Sequence, residues 1–264
     1  MLKDITLGQY FPTNSILHKL DARIKLVLTF ALITGTFLAR TPLSYALLLG
    51  FILLCALLSK VPLRMYIKSL KPMLFLLLFT ALLNLYMTPG TPLPQLSWWV
   101  FNATQEGLVV AGLMFLRIIA LIFVSSILTY TTSPIQLTAG MESLMKPLKW
   151  LRFPVHEMAM MMTIALRFIP ILIDETDKII KAQTARGVDF TSGGLIKRAK
   201  ALVPILIPLF ISAFRRADEL ALAMESRCYN GGEGRTCLNV PKLAWCDFGA
   251  TAACVVIITG IILT

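Results

Sequence analysis

The sequence predicts an all-α, polytopic membrane protein with about five transmembrane helices and long cytoplasmic helices. Three observations lead to this prediction. The 264 residues are 57% hydrophobic with a mean hydropathy of +0.77, which is more apolar side chain than a soluble core can hold. Several apolar segments approach the roughly 20 residues that a spanning helix needs. The basic residues are concentrated in a few connecting segments, as in membrane proteins with cytoplasmic loops.

The predicted spans are five apolar segments. The first two are separated by the short break Arg40-Thr41-Pro42 and therefore form a hairpin. The third follows a basic connector, and a loop without lysine or arginine, which contains Trp98-Trp99, separates it from the fourth. The five segments are Ile24 to Ala39, Leu43 to Ser59, Pro72 to Met87, Gly107 to Thr129 and Ala244 to Leu263.

The formal net charge of +11 could indicate nucleic-acid binding, so the distribution of the charge matters. With the N-terminus placed in the cytoplasm, 23 of the 25 lysines and arginines lie on the cytoplasmic side. Only Arg40 lies outside, and Arg117 lies within a span. This asymmetry satisfies the positive-inside rule. The charge therefore predicts topology in a lipid bilayer, and we predict no nucleic-acid partner.

The chain divides into three predicted regions. Residues 1–130 form an N-terminal transmembrane region of about four spans, residues 131–242 a cytoplasmic region with two long helices, and residues 243–264 a C-terminal transmembrane helix. The first long helix is predicted from Val155 to Arg186, with Gly187 in the favoured position after a helix end. The second is predicted from the N-cap Ser192 to Arg227.

The two long segments resemble each other. Each contains the string Pro-Ile-Leu-Ile, at residues 170–173 and 204–207, and each ends in an arginine flanked by small residues. An apolar first half and a charged second half predict a lever between membrane and water, with the terminal guanidinium as a docking group. The alternative for each arginine is a helix-end charge that complements the dipole. Intrahelical i,i+4 ion pairs are predicted for Asp174 with Lys178, Asp177 with Lys181, and Arg215 with Glu219.

Several motifs resemble the transmembrane T component of energy-coupling-factor transporters, a family of bacterial importers related to ABC transporters. That family carries two Ala-Arg-Gly motifs at the ends of its coupling helices. The first stands here as Ala185-Arg186-Gly187, and the second departs from the pattern as Ser226-Arg227-Cys228. The resemblance covers nearly the whole chain and extends to Leu20-Asp21-Ala22-Arg23, Leu166-Arg167-Phe168-Ile169-Pro170, the residues 223–229 around the second motif, and residues 231–236.

The resemblance implies a non-catalytic subunit that passes ATP-driven motion to a separate membrane subunit. The expected partners are two ABC-type ATPase subunits, which would hold ATP-Mg, and a small hydrophobic substrate-binding subunit. The expected process is uptake of a vitamin or another micronutrient across the bacterial cell membrane. The implied ATPase-docking residues are Ala185, Arg186, Gly187, Ser226, Arg227 and Cys228.

Two other classes remain as alternatives. A self-contained secondary transporter would need intramembrane ionisable residues along a substrate path, and only Arg117 qualifies. A membrane enzyme would need clustered acids, histidines or cysteines, whereas the five cysteines form no C-x-x-C pair. The sequence also has no phosphate-binding loop of the Gly-x-x-x-x-Gly-Lys-Ser/Thr type. We therefore predict no catalytic residue, metal site or cofactor on this chain.

Overall fold

A computed structural model describes residues 10–39, 41–91, 104–188, 190, 194–231 and 244–264. Within these ranges all regular secondary structure is helical, as predicted. Short 3-10 turns at Lys71–Met73 and Lys146–Leu151 interrupt the α-helices. The α-helices are α1 Ile16–Lys19, α2 Ala22–Leu38, α3 Pro42–Leu58, α4 Leu63–Leu70, α5 Leu74–Met87, α6 Gln105–Thr131, α7 Pro134–Met145, α8 Val155–Ala185, α9 Leu195–Glu225 and α10 Trp245–Leu263.

Each predicted span corresponds to a helix, but the third begins earlier than expected. The helical path runs from Leu63 to Met87 through the 3-10 turn that holds Pro72. The basic connector is therefore largely helix α4, and its cations Arg64, Lys68 and Lys71 follow helical spacing. Tyr66 on the opposite side is buried, so α4 is an amphipathic helix rather than a loop.

Four helical segments among the described residues are long and apolar enough to cross a membrane. They are Leu63–Met87, Gln105–Thr131, Val155–Ala185 and Trp245–Leu263, and the apolar α3 is shorter. Helix α8 is among them although it was predicted in the cytoplasmic region, because it contains an apolar stretch of 18 residues with few charges. Helix α2 has 17 residues, or about 25 Å, at the lower end of spanning length.

The chain divides into two compact units, one built on Gly8–Met141 with Pro241–Thr264 and the other on Glu142–Val240. The division falls within α7, and the predicted boundaries at 130 and 242 stay a prediction. The first unit packs α2, α3, α6 and α10 around a buried apolar core. The core residues are Ala39, Tyr45, Leu48, Ile52, Ala120, Val124 and Ile261.

Arg117 is paired inside the first unit. Its Nε donates to the hydroxyl oxygen of Tyr45 at 2.9 Å, and its Nη2 donates to the carbonyl of Ala39 at 3.3 Å. Ala39 is the residue after the last turn of α2, where helix carbonyls lack an intrahelical donor. The guanidinium also lies over the rings of Phe37 and Tyr45. The sequence left the role of Arg117 open, and the structure gives it internal partners.

A buried lysine and two carboxylates connect the helix ends of this unit. Lys25 donates from Nζ to the carbonyl of Thr131, the last residue of α6, at 2.9 Å. Asp21 caps α2, and its backbone N–H donates to Oδ1 of Asp247 at 3.0 Å. The second oxygen of Asp247 accepts from the backbone N–H of Ala244 at 2.7 Å, so this buried carboxylate caps α10 and fixes the start of α2.

The second unit consists mainly of α8 and α9. Each is 31 residues long, or about 46 Å. Helix α8 begins at the predicted Val155 and ends at Ala185, one residue before the predicted Arg186. Helix α9 is described from Leu195 to Glu225, and its predicted N-cap, Ser192, lies outside the described residues. Pro170 lies within α8, and Pro204 and Pro208 lie within α9.

Candidate functional site at two helix ends

The first candidate site is the end of α8, residues Ala185–Gly187, named here the first tip. Gly187 has a φ of +86°, and its N–H donates to the carbonyl of Thr184 at 3.0 Å. The N–H of Val188 donates to the carbonyl of Gln183 at 3.1 Å. These two bonds form a Schellman motif, in which glycine takes the left-handed position without steric cost. The predicted C-terminal role of Gly187 is confirmed.

The second candidate site is the end of α9, residues Ser226–Cys228, named here the second tip. Cys228 has a φ of +55°, and its N–H donates to the carbonyl of Glu225 at 2.9 Å. The N–H of Tyr229 donates to the carbonyl of Met224 at 3.1 Å. This is the same Schellman pattern, with cysteine in the left-handed position that glycine takes in the first tip.

The two tips are therefore equivalent in backbone geometry. Arg186 and Arg227 each stand immediately before the left-handed residue, and both side chains are exposed. Neither arginine belongs to the ion pairs of the described part of the chain. The flanking Ala185 and Ser226 are small and exposed, so a partner surface can approach the backbone closely. Each tip offers a charged planar donor on an exposed, capped helix end.

Two contacts show that α8 and α9 pack antiparallel. Near the end of α8, Gln183 contacts the carbonyl of Pro204 in the first half of α9 at 3.4 Å. Further back along α8, Glu175 accepts from Arg216 in the second half of α9 at 3.4 Å. The first tip thus lies beside the start of α9, and the second tip lies about 35 Å away, at the length of helix from Pro204 to Arg227.

The intrahelical ion pairs predicted from i,i+4 spacing do not form among the described residues. The two ion pairs present there are Arg216 with Glu175, between the helices, and His156 with Glu142 at 3.0 Å. Exposed side chains at i,i+4 spacing gain only a few tenths of a kcal/mol from pairing, so solvation competes with it. The cross-helix contact of Arg216 depends on the packing of two helices, which spacing along one helix does not contain.

Sequence reasoning also missed Gln183 and Pro208. A signal was present, since Pro204 and Pro208 are one helical turn apart and a second proline removes the hydrogen-bond donor for the first. For metals, the described residues hold no group of three or more His, Cys, Asp or Glu side chains that could bind an ion.

Comparison with known proteins places the chain in a family. Residues 13–238, which include both tips, match the family profile described as cobalt transport protein. The chain is 52% identical over 263 residues to the energy-coupling factor transporter transmembrane protein EcfT of Ruminiclostridium cellulolyticum, covering 100% of this chain and 98% of that protein. The chain belongs to the energy-coupling factor transmembrane protein family.

Other members of this family are similarly close. The chain is 55% identical over 236 residues to EcfT of Acidaminococcus fermentans, covering 89% of this chain and 87% of that protein. It is 49% identical over 246 residues to EcfT of Bacillus subtilis, covering 93% and 91%. As a member of the energy-coupling factor family the chain is a transporter component, and its several long apolar helices fit a multi-pass location in the membrane.

Proposed function

We propose that the chain couples two ATPase subunits to a substrate-binding membrane subunit, with one ATPase docked on each tip. The observation that carries this proposal is the repeated geometry of the tips. Two helix ends share one capping pattern, and each presents at the same position an exposed arginine that has no ion-pair partner among the described residues. A guanidinium recognises carboxylates and helix-end carbonyls with a fixed set of donors, which suits a groove on a partner.

The separation of the tips supports two docking events rather than one. A distance of about 35 Å along α9 exceeds the reach of a single binding groove. It is comparable to the diameter of a small domain, so each tip can be held by a different subunit or by a different copy. ATP-Mg would be bound and hydrolysed on those subunits, because this sequence has no phosphate-binding loop. The chain itself is then a non-catalytic component.

The proposal also fixes how α8 and α9 relate to the membrane. Because the helices are antiparallel, a hairpin crossing the bilayer would place the two tips on opposite sides. Both tips meet cytoplasmic ATPases only if the pair lies along the cytoplasmic surface. This orientation also keeps the charged second half of α8, with Asp174 and Lys178, in water. The N-terminus would be cytoplasmic by the same positive-inside asymmetry.

The substrate class is not encoded by the tips. The relatives carry a general name without a substrate, which suits a module that receives different binding subunits. Uptake of a vitamin or another micronutrient, with specificity on the separate binding subunit, is therefore part of the proposal. The internal pairing of Arg117 argues against a self-contained transporter, since two of its three nitrogens donate to oxygens within the bundle.

Charge reversal of both arginines tests the docking role. We expect Arg186→Glu with Arg227→Glu to abolish copurification of the ATPases in mild detergent, while the amount of membrane-inserted chain is unchanged. Arg152→Glu is the matched control, because Arg152 is an exposed arginine at the end of the 3-10 turn in the same unit. Retention of the ATPases by the double variant, or equal loss in the control, refutes the docking role.

Labelling from one side of the membrane tests the orientation of the helix pair. Cys228 is exposed and serves as the probe at the second tip, and Ala185→Cys supplies a probe at the first. In variants with one of these as the sole cysteine, a membrane-impermeant maleimide should label neither tip on intact cells and both tips in inverted vesicles. Labelling of the two tips from opposite sides would establish a transmembrane hairpin and contradict the proposal.

A further inference from the structure

Helix α9 contains a carbonyl that lacks its regular i+4 donor. Pro204 and Pro208 lie four residues apart in this helix. In an α-helix the carbonyl of residue 204 accepts from the N–H of residue 208, but proline has no N–H and its ring crowds that carbonyl. The helix is expected to bend at this position, and the carbonyl of Pro204 needs a donor from elsewhere.

The side chain of Gln183 supplies that donor. Its Nε2 lies 3.4 Å from the carbonyl oxygen of Pro204. The contact lies between the two long helices, where Gln183 and Pro204 are half-buried and the next residue, Ile205, is buried. A carbonyl without a partner in such a place carries the full cost of its desolvation, so this bond matters more than its length suggests.

Gln183 also closes the cap of the first tip. Its backbone carbonyl accepts from the N–H of Arg186 and from the N–H of Val188, both at 3.1 Å. Gln183 therefore closes the cap at Arg186 with its backbone carbonyl, and its side chain donates to the Pro204 carbonyl at the proline bend of α9. A displacement of the first tip must either move the Pro204 carbonyl with it or break this bond.

We propose that Gln183 is a positioning residue that ties the first tip to the proline bend of α9, so that movement of Arg186 changes the bend. The inference deepens the proposed function and rests on it for the direction of the signal, from ATPase to tip to α9. The hydrogen bond itself exists in the isolated chain, so the two ideas can be tested separately.

The bond can be tested without any partner. Gln183→Glu keeps the size of the side chain but removes the donor at neutral pH, and Pro208→Ala restores an N–H to the helix. In nanodiscs we expect Gln183→Glu to accelerate amide hydrogen exchange at residues 205–212 about fivefold. In the Pro208→Ala background the same change should have no effect. Gln183→Ala serves as a second donor-free variant if the glutamate variant is poorly inserted.

Glu175→Gln is the control for the double-mutant cycle of Gln183→Glu and Pro208→Ala. It weakens a second polar contact between α8 and α9, the half-exposed pair with Arg216. Because that pair does not involve the proline bend, its effect on exchange should simply add to that of Pro208→Ala. Additive effects of Gln183→Glu and Pro208→Ala would overturn the proposal.

The coupling role is tested in the assembled transporter. We expect Gln183→Glu to retain both ATPases on copurification but to lower substrate uptake per ATP hydrolysed by about fivefold, with no further loss when combined with Pro208→Ala. A non-additive exchange result with unchanged uptake per ATP would make the bond purely structural and overturn the proposal. Loss of the ATPases would assign Gln183 to docking and overturn it as well. Failure of the docking role itself is read from the Arg186 and Arg227 variants.

Discussion

Replacement of Gly187 by alanine should destabilise the first tip through backbone conformation alone. The φ of Gly187 is +86°, in the left-handed region, and a Cβ atom built there meets nothing within 4 Å. No clash contributes, so the cost is that of an L-residue in this region, about 1–2 kcal/mol. Part of it is offset because alanine loses less backbone freedom on ordering than glycine, by about 0.5–1 kcal/mol. The net destabilisation is about 1 kcal/mol.

The assay is hydrogen exchange of the amides that close the cap. The N–H groups of residues 187 and 188 donate to Thr184 and Gln183, and they exchange when the last turn opens. About 1 kcal/mol corresponds to about fivefold faster exchange after correction for intrinsic rates. The opposite change is available in the second tip, since Cys228 occupies the left-handed position at a φ of +55°. Cys228→Gly should slow exchange there by a similar factor.

The two tips are each other's control in this experiment. Glycine is removed from the left-handed position of one tip and introduced at the equivalent position of the other, so a general effect of glycine on flexibility would act with the wrong sign at Cys228. Unchanged exchange in Gly187→Ala, or faster exchange in Cys228→Gly, would refute the assignment of the left-handed cap. Cys228→Gly should also leave ATPase copurification intact, because Arg227 remains in place.

Three further predictions concern the first unit. Tyr45→Phe removes the acceptor for Nε of Arg117 within the bundle, so the apparent melting temperature in nanodiscs should fall in line with about 1–3 kcal/mol; an unchanged value would show that the contact is dispensable. Asp247→Asn replaces one of two accepting oxygens by an amide donor, and a similar loss of thermal stability is expected; equal stability would contradict the double cap. Burial lowers the pKa of His18 below its usual value, so its stabilising effect is present above about pH 6.5 and is lost as the pH falls through the lowered folded-state pKa. His18→Gln should remove this part of the acid dependence of melting, and an identical profile in wild type and variant would rule it out.

The reason for the His18 prediction lies in its hydrogen bonds. The ring lies 2.9 Å from the carbonyl of Phe11 through Nε2 and 2.7 Å from the hydroxyl of Ser15 through Nδ1. A neutral ring that donates from Nε2 accepts at Nδ1, so both bonds suit the uncharged form. Protonation adds a second donor and a charge in a half-buried place. The N-terminal segment that contacts Tyr130 through Phe11 should therefore loosen at acidic pH.

Periodicity and hydropathy predicted where the helices begin and end better than they predicted whether each helix spans the membrane or lies at its surface. The ends of α8 at Val155 and Ala185 agree with the prediction, because proline and glycine act locally on the backbone. The third span was predicted too short, since the charges of α4 obscured a helix whose inward residue is a single buried tyrosine, Tyr66. Helix α8 resembles a span because it contains an apolar stretch of 18 residues. Composition alone does not separate a spanning helix from one that lies at the membrane surface.

The second tip shows the same limit at the level of a motif. In sequence, Ser226-Arg227-Cys228 departs from the Ala-Arg-Gly pattern of the resembling family. In structure, Cys228 takes the left-handed conformation that glycine takes in the first tip, so the departure changes the cost of the turn and not its shape. Hydrogen bonds between residues three and five apart define this turn, and no residue identity encodes them by itself.

The sequence by itself determined that the chain is helical, lies in a membrane and has an arginine at the end of each of two long helices, and it predicts that the basic residues lie on one side of that membrane. These properties follow from residue type and spacing along one chain. Tertiary structure decided which groups meet. The antiparallel pairing of α8 and α9, the bond from Gln183 to Pro204 and the partners of Arg117 join residues far apart in sequence. Their positions depend on packing between helices, which local propensity does not specify.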